Sequence, residues 1–273
     1  MSEGMKSFVR LAVLMLFPVI YGHGQKPPET APAGPQIVRE TFDVKKYPAL
    51  TAVGKLNLIG LRWCSLVLVA EDVGVTAGHC FLKSKIKFDL TKDLDPYLTT
   101  VIFRPDGERR IEGVSVKRVL RAKMNPDYAI VRLTKKIPAS EIRPLTIATP
   151  TFDQLRADES RLGCAGFNGD EGLGNGGLLM TICRKIRIIP ETSSAERIDT
   201  DCFSTYGGSG GLFFREPADP ANEGSVDFIG VVWGMTDEKY DDRGQLVKAD
   251  DIVTSITPAS VFARELNRII KQR

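Results

Sequence analysis

The chain has 273 residues, 42% of them hydrophobic and 26% charged, with a formal net charge of +3. This globular composition excludes disorder and collagen-like repeats, and the weak positive balance lacks the concentrated basic face that nucleic-acid binding requires. Two histidines and five cysteines, with no Cys-x-x-Cys pair, argue against a structural zinc site. No metal or cofactor is expected.

Lys6 and Arg10 precede an apolar run of eleven residues, Leu11 to Tyr21. Spanning a bilayer takes roughly 20. A basic start, a short apolar core and then Gly22-His23-Gly24 predict a secretory signal peptide over residues 1–24. Its removal leaves one histidine, His79. Export permits disulfides, and the mature protein is expected to be secreted or periplasmic, a monomer with no stable membrane insertion after signal cleavage. Gln25 to Gln36, QKPPETAPAGPQ, has no apolar period and reads as a linker or short pro-segment. The folded domain is expected over residues 37–273.

Short apolar runs follow, separated by Gly, Pro, Asp and Asn: Leu56-Gly60, Leu66-Val69, Val73-Ala77, Thr99-Phe103, Val114-Leu120, Ala129-Leu133, Leu178-Ile189, Phe228-Trp233 and Ile252-Ile256. Runs this short and rich in Val and Ile predict strands, and their spread predicts two packed sheets or barrels, an all-β architecture. The end differs. Thr257-Pro258 suits a helix start, Phe262, Leu266, Ile269 and Ile270 follow at helical spacing, and Lys271 and Arg273 suit the negative end of a helix dipole. The expectation is a C-terminal helix over 258–271, packed on the second barrel.

Three segments carry chemistry: Thr76-Ala77-Gly78-His79-Cys80, the run Asp127-Tyr128-Ala129-Ile130-Val131-Arg132-Leu133, and Gly207-Gly208-Ser209-Gly210-Gly211. A serine hydroxyl is a weak nucleophile until a positioned base takes its proton and an acid holds that base. Gly-Gly-Ser-Gly-Gly also satisfies the nucleophile elbow of α/β-hydrolases, but that fold needs a histidine after the serine, and none follows Ser209. The subtilisin order puts the acid before the histidine. His79, Asp127, Ser209 is the chymotrypsin order.

On these residues the mature domain resembles the chymotrypsin-like (trypsin-family) serine peptidases, bacterial type. TAGHC is similar to the family's histidine motif, DYAIVRL to the strand carrying its acid, GGSGG to its nucleophile loop, CAGFN (164–168) to the turn after the first strand of its second barrel, and GVVWG (230–234) to its substrate-binding strand. The resemblance implies two six-stranded antiparallel β-barrels, roughly 37–140 and 141–257, with the C-terminal helix. It implies catalytic His79, Asp127 and Ser209, an oxyanion hole from the N–H groups of Gly207 and Ser209, and backbone pairing of polypeptide substrates with Val232, Trp233 and Gly234. Cys64 lies sixteen residues before Cys80, the family's spacing for a disulfide.

The sequence also departs from the family. Where animal trypsins carry an aspartate that pairs with a freed N-terminus, this chain has Gly208, although Ile37-Val38 looks like such a terminus. The pocket is therefore expected to form without that ion pair. Near the pocket, Phe203 or Ser204 stands on the serine-loop side, and Asp251 could face it and favour a basic P1 residue. Cys164, Cys183 and Cys202 allow one further bridge in three ways. The implied function is that of an exported serine endopeptidase. The competing class is a catalytically silent homologue serving as a secreted binding module.

Overall fold

The computed structural model describes residues 39–41, 45–59, 63–84, 86–103, 110–157, 161–169, 177–183, 186–189, 197–216, 225–236 and 253–272. The signal-peptide and linker segments, Ile37-Val38 and Asp251 lie outside these residues. Among the described residues, no helix is long and apolar enough to cross a membrane.

The first half is a closed antiparallel barrel. Its strands are β2 (Val53–Leu58), β3 (Trp63–Ala70), β4 (Val73–Thr76), β5 (Thr99–Phe103), β6 (Ile111–Met124) and β7 (Asp127–Leu133), in the order β2-β3-β4-β7-β6-β5. Leu56, Leu66, Leu68, Val75, Val101, Phe103, Val116 and Ile130 fill it. The β-branched and aromatic content of these runs suits a pleated surface packed on both sides. β6 runs well past the apolar segment Val114-Leu120. Register shifts near Val116/Arg118 and Val119/Arg121 let it bend while keeping its pairing with β7.

The second half holds β1 (Arg39–Thr41), β8 (Leu162–Phe167), β9 (Leu178–Ile182), β10 (Ile186–Ile189), β11 (Arg197–Thr200), β12 (Leu212–Arg215), β13 (Asp227–Thr236) and β14 (Val253–Pro258). Here the expected six-stranded barrel is met in part: the strands are antiparallel, but among the described residues their sheet is not closed. The ladder is an eight-stranded antiparallel sheet, β1-β9-β8-β12-β13-β14-β11-β10. Six strands, β9 to β11 in that order, form its body, and β1 and β10 are added at the edges. The run Leu178-Ile189 splits because its first part pairs with β8 and its last part with β11 at the opposite edge. Arg39–Thr41 precede the first barrel in the chain but pair with Leu179 to Thr181 of β9, so they belong to the second sheet rather than to a barrel of residues 37–140.

Two apolar clusters form among the described residues: one within the second half, around Leu162, Ile198, Phe213 and Ile256, and a larger one that runs through both halves. It joins Leu56, Leu66 and Ile130 to Phe167, Met180, Leu212, Phe214 and Phe228. The connecting segment is buried at Ile137, Ile142 and Leu145, and a short helix, α2 (Phe152–Ala157), follows it.

The C-terminal helix begins later than the sequence suggests. After a 3-10 turn over Ala259–Val261, α3 spans Ala263–Lys271. Thr257 is not its cap. It lies in β14 and donates its hydroxyl to the Asp127 carbonyl at 2.9 Å. Phe262 and Leu266 are buried as the spacing predicts. The Phe262 ring lies 5.2 Å from Tyr128 and 6.0 Å from Phe228, and the Tyr128 hydroxyl donates to Glu265 at 3.0 Å. Burial and that bond push the Tyr128 phenol above its ordinary pKa. The helix thus packs on the strand that carries Asp127. Phe262→Ala is expected to cost about 3–5 kcal/mol of stability, read as a lower urea midpoint at unchanged m-value.

Candidate active site

β4 and β7 are neighbours, with Thr76 opposite Ala129, so the end of one strand lies beside the start of the other. His79 opens α1 (His79–Leu82), the single turn that follows β4, and Asp127 is the first residue of β7. The carboxylate holds the histidine twice. Oδ1 accepts the His79 backbone N–H at 2.9 Å, and Oδ2 lies 2.7 Å from Nδ1. Asp127 is 6% exposed. With Oδ2 as acceptor, Nδ1 carries the ring hydrogen and Nε2 keeps its lone pair. Nε2 lies 3.9 Å from Cys80 Sγ. That sulfur is in the Cys64–Cys80 disulfide and has no hydrogen to give, so the contact is packing.

The Gly207–Gly211 loop is tied to the first barrel through Ser65, the neighbour of Cys64. Ser65 is fully buried. Its N–H donates to the Ser209 carbonyl at 2.7 Å and its hydroxyl to the Gly207 carbonyl at 2.9 Å. The same hydroxyl accepts the Phe167 N–H at 2.8 Å, and the Ser65 carbonyl accepts the Thr76 hydroxyl at 2.6 Å. One disulfide and one serine thus link the histidine turn to the serine loop. Gly207 has φ +91°, a backbone state L side chains rarely adopt, and a Cβ there would run into the Trp63 indole nitrogen and the Phe167 carbonyl. Among the described residues, no acceptor engages the N–H groups of Gly207 or Ser209.

The structure brings His79 and Asp127 into contact. It does not place a hydrogen bond between Ser209 and His79. The Ser209 hydroxyl instead faces the Trp233 carbonyl at 3.4 Å.

The residues expected to pair with a substrate divide. The Val232 N–H donates to the Gly211 carbonyl at 3.0 Å, and its carbonyl accepts the Gly210 N–H at 2.6 Å. Val232 therefore anchors the loop, leaving only the second carbonyl lone pair for another donor. The register shift between Val232 and Gly234 leaves Trp233 out of the regular ladder, while Gly234 pairs with Ser255 and the space beside it is open. Ser204 is buried and its hydroxyl is committed to Asn168 Oδ1 at 3.2 Å. The buried Asp199 is compensated by Arg197, with Nε 3.0 Å from Oδ1, and by the Ser255 hydroxyl at 3.0 Å.

Of the three open pairings, the chain takes Cys183–Cys202, and Cys164 is a buried free thiol. Motif reading did not single out Ser65, and it took Asn168 only as the end of CAGFN and Thr257 only as a helix start. A lone serine inside the apolar strand WCSLVLV was the one available signal. No protein-family model and no curated protein sequence matches the chain.

Proposed function

We propose that the chain is an exported serine endopeptidase of the chymotrypsin-like type. The observation that carries this reading is the double hold of Asp127 on His79, which leaves Nε2 as a free base. In this reading the Ser209 hydroxyl rotates from the Trp233 carbonyl to Nε2, which takes its proton as Oγ bonds to the scissile carbonyl carbon. The carbonyl oxygen gains the electron pair and is received by the N–H groups of Gly207 and Ser209. Collapse breaks the C–N bond, and the leaving amine takes the proton from His79. Water, deprotonated by His79, then attacks the acyl ester and restores Ser209. Polypeptides would lie along Trp233 and Gly234 as an added strand. The two disulfides support an oxidising compartment, secreted or periplasmic.

A second reading, the silent binding module, is favoured by the Ser209–Trp233 contact alone. A fluorophosphonate probe separates the two. Covalent labelling of the parent, abolished in Ser209→Ala, is the expected result. A folded parent that stays unlabelled would sink the peptidase reading and favour the binding module.

A further inference from the structure

The nucleophile loop carries a second anchor besides Ser65. Asn168 follows β8 and is 4% exposed. Its Oδ1 accepts the Thr205 backbone N–H at 2.9 Å and the Ser204 hydroxyl at 3.2 Å. Next to it, the Gly169 N–H donates to the Tyr206 carbonyl at 2.6 Å. Thr205 in turn receives the Gly208 N–H at 2.9 Å, and Gly208 receives the Gly211 N–H at 2.8 Å. A continuous chain of bonds therefore leads from the Asn168 oxygen through the turn that presents Gly207 and Ser209.

The same group closes a position. A Cβ built at Gly208 falls inside the contact distance of both Ser204 Oγ and Asn168 Oδ1. The Ser204–Asn168 bond occupies the place where a side chain just before the nucleophile would stand. The charged partner of a freed N-terminus has no room in this loop shape.

We propose that Asn168 is a positioning residue: its neutral carboxamide oxygen sets the working shape of residues 204–209 without a charge pair. This inference rests on the peptidase reading. A buried acceptor holding two donors in a dry site is costly to remove, because both donors are then left unpaired. Removing it displaces the oxyanion N–H groups, and the loss of one such donor lowers catalysis by about 10²–10³.

The test uses Asn168→Leu and Asn168→Asp. The aspartate keeps an oxygen where both donors point. Two readouts are taken: the second-order rate of labelling by a fluorophosphonate, and amide hydrogen exchange across 203–210. In Asn168→Leu, labelling is expected to slow about 10²-fold, and loop exchange to rise about tenfold while the barrel strands β2 to β7 keep their protection. Asn168→Asp is expected to restore both to within about tenfold of the parent. Asn168→Ala, which leaves space rather than a clash, serves if the leucine variant does not fold. Parent chains beginning at Gln25 and at Ile37 should label at the same rate. A reactive parent whose Asn168→Leu and Asn168→Ala variants keep parental labelling and loop exchange overturns the inference alone, as does activity confined to the chain starting at Ile37. A parent that never reacts overturns the peptidase reading, and the positioning of a catalytic loop with it.

Discussion

Replacing His79 with alanine is expected to lower kcat by about a millionfold, with the fold retained. Loss of the base or nucleophile from a Ser-His-Asp triad costs on this order, because the members act as one unit. No other imidazole exists between Gln25 and Arg273 to take over the proton transfer. The Asp127 carboxylate keeps one of its two partners in the variant, since Oδ1 is held by the backbone N–H of residue 79 and not by the ring. The barrel should therefore close as before. Single-turnover kinetics with a cleavable peptide ester, alongside far-UV circular dichroism, would check this. The His79→Ala/Ser209→Ala double variant should be no slower than either single one. A loss below about a hundredfold would mean that another group acts as base, and the proposed mechanism would fail.

The next largest effect is expected at Asp127. In Asp127→Asn the carboxamide oxygen can still accept the residue 79 N–H, so the loop geometry survives. Its NH2 group then faces Nδ1, which must become the acceptor, and the ring hydrogen moves to Nε2. Nε2 can no longer receive the serine proton. This tautomer error is worth about 10⁴ in kcat. Thermal unfolding should stay close to the parent, because the Thr257 bond goes to the Asp127 carbonyl and not to its side chain. A variant retaining more than a tenth of parental kcat would show that the carboxylate does not set the tautomer. Reading kcat and thermal midpoint on the same sample separates this from simple unfolding.

What was legible in the sequence was local. Apolar runs bounded by turn residues located most of the strands, because a strand buried on one or both faces writes its own period. The Thr99-Phe103 run matches β5 end to end. His79, Asp127 and Ser209 stood out because each sits in a short, chemically loaded segment. Contacts between distant segments were not legible. Thr257 resembles a helix cap in sequence, yet its hydroxyl serves a carbonyl 130 residues away. Ser65 is a single polar residue in an apolar strand, and only the tertiary fold shows that it meets Gly207 and Ser209. Ser204 reads in sequence as a residue near the pocket, and only the fold sets Asn168 opposite its hydroxyl. The edge strand β1 of the second sheet was not legible for the same reason, since it joins from before the first barrel.

Cys164 bears on how the second bridge survives. Its sulfur and those of Cys183 and Cys202 all lie within 4.8 Å of one another. A thiol so close to a disulfide is placed to exchange with it, and only the thiolate attacks. Burial raises the Cys164 pKa, and Asp201 pushes in the same direction. In the folded protein the attacking species is therefore scarce, and the Cys183–Cys202 bridge is shielded from reshuffling by electrostatics and dryness rather than by distance. In the unfolded chain that shield is gone and Cys164 can exchange like the other cysteines. The same burial that hides one thiol therefore protects the neighbouring bridge in the folded protein.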